Sequence, residues 1–168
     1  MPGHPMVVAV RYAGSMADET FSAAERAAMT QADAERKASA AAAKKGGTRA
    51  ERAAAKRAAE LTACTDAIAA LPESDRAIAE AVHEIVFAEV EDVRAKTWYG
   101  FPAYHLDGPV IAFVQPASKF GTRYCTLGFN DGAQLDEGAM WPTVYAISEV
   151  TEDVRARIAE LVRTAFAQ

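Results

Sequence analysis

The sequence predicts an α+β fold: a small antiparallel sheet of about four strands with helices packed mainly on one face, preceded by Ala-rich helices. Three observations predict it. The first half is rich in Ala, Lys, Arg and Glu, the composition of helix. Near residue 96 the apolar spacing changes from helical to short β-prone runs. Those runs are punctuated by Gly, Pro and Asp-Gly, and the chain then closes on one more amphipathic stretch.

Residues 1–15 match no element the rest of the chain needs and are expected to be a disordered or misannotated leader. From Phe21 the capping-box pair Ser22 and Glu25 opens a helix expected over 22–43, and Gly46-Gly47 separates it from a second over 49–70. Few large apolar residues occur before Leu61, so residues 16–58 are expected to form a peripheral, mildly basic arm ahead of an α+β domain over 59–168. Residues 21–60 carry nine Lys or Arg against five acids, whereas 61–168 carry eight against sixteen, so the arm and the body have opposite charge. Pro72 precedes a third helix, in which Ile78, Val82, Ile85, Val86 and Val93 make one apolar face and Glu73, Glu80, Glu84 and Glu91 fall on the other.

The run "KTWYGFPAYHLDGPVIAFVQP", Lys96 to Pro116, begins the sheet. A first strand is expected over Trp98 to His105 and a second over Val110 to Gln115, turned at Asp107-Gly108. Trp98 and Tyr99 should then face opposite sides, and Pro102 should mark an edge strand or a bulge. His105 and Asp107 read as an exposed hairpin tip. "TRYCTLGF" gives the third strand, "NDGAQLDEGAMWP" a short helix or loop, and "TVYAISEV" the fourth strand. Thr151 caps a final helix that buries Val154, Ile158, Leu161 and Val162.

"KTWYGFPAYHLDG", "FVQPASKFGTRYCTLGF" and "GAMWPTVYAI" resemble the bacterial YdhG-like domains, a family catalogued as domain of unknown function number 1801, over about residues 60–167. The resemblance implies the fold. One branch of that family is described as frataxin-like iron chaperones, which implies weak binding of iron and its delivery to iron-receiving proteins. The candidate metal ligands are Glu80, His83, Glu84 and Glu91, carboxylates and an imidazole suited to iron on an open helix face. The same spacing also describes a solvated helix face.

The alternative is a module for a small anionic ligand. Its candidate residues are Trp98, Tyr99, Tyr124 and Trp141, for apolar contact with a polar tip, and Lys96, Lys119 and Arg123 for a carboxylate or phosphate. No GxSxG, P-loop or GxGxxG pattern occurs, so a binding protein is expected in place of an enzyme. Cys64 and Cys125 form no CxxC, and the chain reads as cytoplasmic with reduced thiols. The net charge of −5 and the absence of a groove-reading motif argue against nucleic acid, and no apolar run is long enough for a membrane span.

Overall fold

The computed structural model describes residues 21–42 and 47–167, so the expected leader at 1–15 lies outside the described residues. Helix α1, Ala23–Ala42, starts on the expected capping box: the Ser22 amide donates to Glu25 Oε2 at 2.6 Å and the Glu25 amide to Ser22 Oγ at 3.2 Å. Helix α2, Arg49–Ala69, starts on a second one that the sequence reading missed, made by Thr48 and Glu51. Helix α3, Glu73–Glu89, follows Pro72 and ends before Glu91. None of the described helices is long and apolar enough to cross a membrane.

The sheet has five strands in sequential antiparallel order: β1 Arg94–Trp98, β2 Phe101–His105, β3 Ala112–Gln115, β4 Cys125–Phe129 and β5 Val144–Ile147. The expectation of about four strands is one short because the segment Trp98 to His105 is not a single strand. Tyr99 and Gly100 form a two-residue turn between Trp98 and Phe101, with φ of 53° and 78°. Positive φ at both positions is the type I′ geometry that matches the twist of a hairpin. Gly tolerates it freely, whereas Tyr at the first position does not signal it, so the turn was hidden in an aromatic run. Trp98 and Tyr99 therefore do not alternate across a strand; their rings meet edge to face, 4.9 Å apart.

Pro102 lies on an interior strand, contrary to the expected edge or bulge. Its nitrogen falls on the side of β2 facing β3, and the β2–β3 ladder covers only Ala103↔Phe113 and Tyr104↔Ala112. The missing donor is accommodated where that ladder has ended.

A short helix α4, Ala117–Phe120, stops at Gly121 in the left-handed region, and α5, Glu152–Ala165, is capped by Thr151 as expected. One face of the sheet carries Tyr104, Val114, Cys125, Leu127 and Ile147 into a core shared with Val82 and Val86 of α3 and Leu161 and Val162 of α5. Each fully buried aliphatic side chain there contributes roughly 1.5–3 kcal/mol. Cys64 and Ile68 of α2, inside the expected 59–168 domain, belong to the same core, and α2 itself runs without a break across the expected boundary at 58/59. On the other face Trp98, Phe101 and Phe113 pack edge to face, and the Phe113 ring lies directly on Gly128, where a Cβ would stand 2.2 Å from it.

Candidate ligand-binding cleft

Helices α1 and α2 and the end of β1 enclose a cleft of about 810 Å³. Met29, Glu35 and Ser39 come from α1, Lys56, Ala59, Glu60 and Ala63 from α2, and Lys96, Thr97, Trp98 and Tyr99 from the β1–β2 hairpin. Small residues on α2 let it sit close to the hairpin without filling the space.

The hairpin turn is gripped from both sides. The Gly100 amide donates to Glu35 Oε1 of α1 at 3.0 Å, and its carbonyl accepts from Lys119 Nζ of α4 at 2.5 Å. A Cβ on Gly100 would stand 2.3 Å from that nitrogen and 2.9 Å from Gln31 Cγ, and φ of 78° strains any other residue there, so a substitution would disturb the clamp. Burial lowers the affinity of the Lys119 amine for its proton, against the opposing pull of Glu35.

Every carboxylate lining the cleft is already engaged. Asp33 pairs with Arg36, Glu35 accepts from Gly100, and Glu60 Oε1 lies 3.7 Å from Lys56 Nζ and 3.4 Å from Ser39 Oγ. Lys96 has no ion-pair partner among the described residues, although its charge acts on His105. It lines the cleft with Trp98 and Tyr99, while Glu35, bonded to a neutral amide, keeps its negative charge.

The structure divides the residues expected to bind an anion. Lys96, Trp98 and Tyr99 line the cleft, and Lys119 stands behind the turn as a clamp. Arg123 is exposed and stacks over the Tyr124 ring at 5.5 Å, while Tyr124 and Trp141 are absent from the cleft lining. Glu35, Lys56 and Glu60 were missed because the arm reads as peripheral; the capping-box motif at Thr48 and Glu51 was the available signal that α2 is a fixed element.

The expected metal ligands are also separated. Glu91 lies beyond the end of α3, so it cannot share that helix face. Glu80 lies 3.9 Å from Arg76, and Glu84 accepts from Arg155 of α5 at 2.9 Å. His83 is half-buried, with Nδ1 3.3 Å from the Tyr104 hydroxyl, and burial lowers its pKa against the charge of Glu84. No group of three or more His, Cys, Asp or Glu among the described residues is placed to hold a metal ion.

His105 is not the exposed tip expected. It is 9% exposed, and neither ring nitrogen has a hydrogen-bond partner among the described residues; of the two, Asp107 alone is at the surface, paired with Arg94. Both cysteines are buried free thiols; burial pushes Cys64 up to about 12 and Cys125 up to about 11, which removes them as nucleophiles at neutral pH.

Comparison with known proteins adds no relative. No family model matches the chain, and no curated protein or solved structure matches it significantly. The resemblance to the YdhG-like domains rests on the quoted residues.

Proposed function

We propose that this protein is a binding protein of the YdhG-like type whose cleft between α1, α2 and the β1–β2 hairpin takes a small anionic ligand with an apolar body. The observation that carries the reading is Lys96, an ammonium without an ion-pair partner among the described residues, lining the cleft together with Trp98 and Tyr99. An anion there gains a charge-assisted contact without breaking an existing ion pair of Lys96 among the described residues. The aromatic rings supply area for the rest of the ligand. Lys96 to Tyr99, the first part of the most distinctive run of the sequence, forms this wall. A cleft of about 810 Å³ lies within the ~300–1,000 Å³ usual for small-ligand sites.

A thermal-shift screen of carboxylate and phosphate metabolites tests it, since a ligand that binds the native state raises Tm as RT ln(1 + [L]/Kd). The expected hit loses its shift in Lys96→Met, a variant that keeps wild-type far-UV circular dichroism. A shift of equal size in Lys96→Met, or no hit, overturns the reading. Saturable iron(II) binding in anaerobic titration, lost in Glu80→Gln/Glu84→Gln and kept in Lys96→Met, would favour iron delivery instead.

A further inference from the structure

β1 is an edge strand, and its outer side opens into the cleft. The turn at Tyr99-Gly100 has two residues, so Trp98 and Phe101 are a hydrogen-bonded pair. Pairs alternate along an antiparallel ladder, which makes Lys96 and Ala103 the next bonded pair and leaves Thr97 opposite Pro102 as a non-bonded one. The Thr97 N–H and C=O consequently point away from β2, and no hydrogen bond engages them among the described residues. Thr97 is half-buried and forms part of the cleft wall. Exposed sheet edges are usually blunted or covered, because unpaired backbone groups invite another strand. Here the two backbone groups, without a partner among the described residues, lie on the cleft wall between Lys96 and Trp98.

We propose that the ligand is an extended peptide segment with a carboxylate, added as a short strand to the outer edge of β1. The proposal rests on the cleft being the binding site. Main-chain bonds to Thr97 give register, and side chains opposite Lys96 and Trp98 share one face of the extended sheet. The neighbouring β1–β2 pairing is antiparallel, and an antiparallel addition places the residue opposite Trp98 before the one opposite Lys96. The recognised pattern, read from N to C terminus, is an apolar residue, any residue, then an acidic residue or a terminal carboxylate. Lys96 meets the carboxylate, Trp98 and Tyr99 meet the apolar side chain, and the central residue exchanges both backbone bonds with Thr97.

The test uses the full chain with Trp141→Phe, so that emission reports Trp98 alone. N-acetyl-Phe-Val-Asp-amide is titrated beside three comparators: the same peptide N-methylated at Val, the reversed peptide N-acetyl-Asp-Val-Phe-amide, and 3-phenylpropanoate. The expected result is saturable binding of the first peptide with a perturbed Thr97 amide resonance. N-methylation should weaken it by about ten-fold or more, the cost of a lost backbone bond with an unsatisfied partner. Lys96→Met should weaken it similarly. Equal affinity for the N-methylated or reversed peptide, or for 3-phenylpropanoate, overturns strand addition while leaving the anionic-ligand reading intact. Binding of 3-phenylpropanoate without the peptide does the same. Saturation by none of the four overturns both.

Discussion

His105 holds an imidazole whose two nitrogens are buried and make no hydrogen bond of good geometry among the described residues. Burial lowers its pKa, the charges of Lys96 and Arg94 lower it further, and the Leu106 backbone and Glu60 oppose them. The unfolded chain, with an ordinary histidine, binds the proton first. Stability therefore falls as pH drops through the usual histidine range and levels off below the folded value. His105→Leu should flatten the decline in Tm between pH 7 and pH 5, leaving the part due to His83, whose pKa is also lowered by burial. An unchanged decline would place the sensitivity elsewhere. Gly128 offers a second residue-scale test. A Cβ there would meet three atoms of the Phe113 ring between 2.2 and 2.7 Å. Gly128→Ala should displace the ring and cost about 1–3 kcal/mol in urea unfolding.

At the scale of elements, α1 and α2 differ although their compositions are alike. In α1 the buried hydrophobic residue is Ala28, and its hold on the hairpin includes the Glu35–Gly100 bond. In α2 Cys64 and Ile68 are core residues. Removing residues 1–46 should leave near-UV circular dichroism intact, lower Tm slightly and shift Trp98 emission to the red. Removing 1–58 leaves about three turns of α2 without its cap, too short to be stable except by packing. That truncation should lose clearly more stability than the first, and equal losses would mean that the N-terminal half of α2 adds nothing. The sequence made the two helices legible through Ser22, Glu25 and the Gly pair. It did not separate their roles, because alanine serves a solvent-facing helix and a closely packed one equally well.

Across the whole molecule, α3 is the element to which distant segments are tied. Asp75, 5% exposed, accepts from the Ser118 amide at 2.8 Å and the Ser118 hydroxyl at 2.5 Å, and the Cys125 thiol lies 3.4 Å away. Burial works against the ionised carboxyl, but these bonds outweigh it and hold its pKa below the usual range. The contribution is present above the unfolded pKa of about 3.9 and is lost as pH falls through the lower folded value. Asp75→Asn should destabilise at neutral pH and narrow the gap to wild type on strong acidification, as followed by urea unfolding. Arg155–Glu84 and Arg163–Glu89 tie α5 to α3 on the surface, each for about 1 kcal/mol or less.

The sequence by itself determined the class of fold, the approximate places of β3, β4 and β5, and the caps that begin α1 and α5, because periodicity and capping are local chemistry. It marked Lys96, Trp98 and Tyr99 as candidate binding residues from side-chain type alone, and the structure puts all three on one cleft. Only tertiary structure decided that Tyr99-Gly100 is a turn, since an aromatic run reads as strand until its partner strand is known. Only tertiary structure decided that Glu84 and Glu89 of α3 meet arginines of α5 and that Glu35, Lys56 and Glu60 line one cleft with Lys96. These residues lie tens of positions apart, and charge pairing depends on which surfaces meet, which no local pattern encodes.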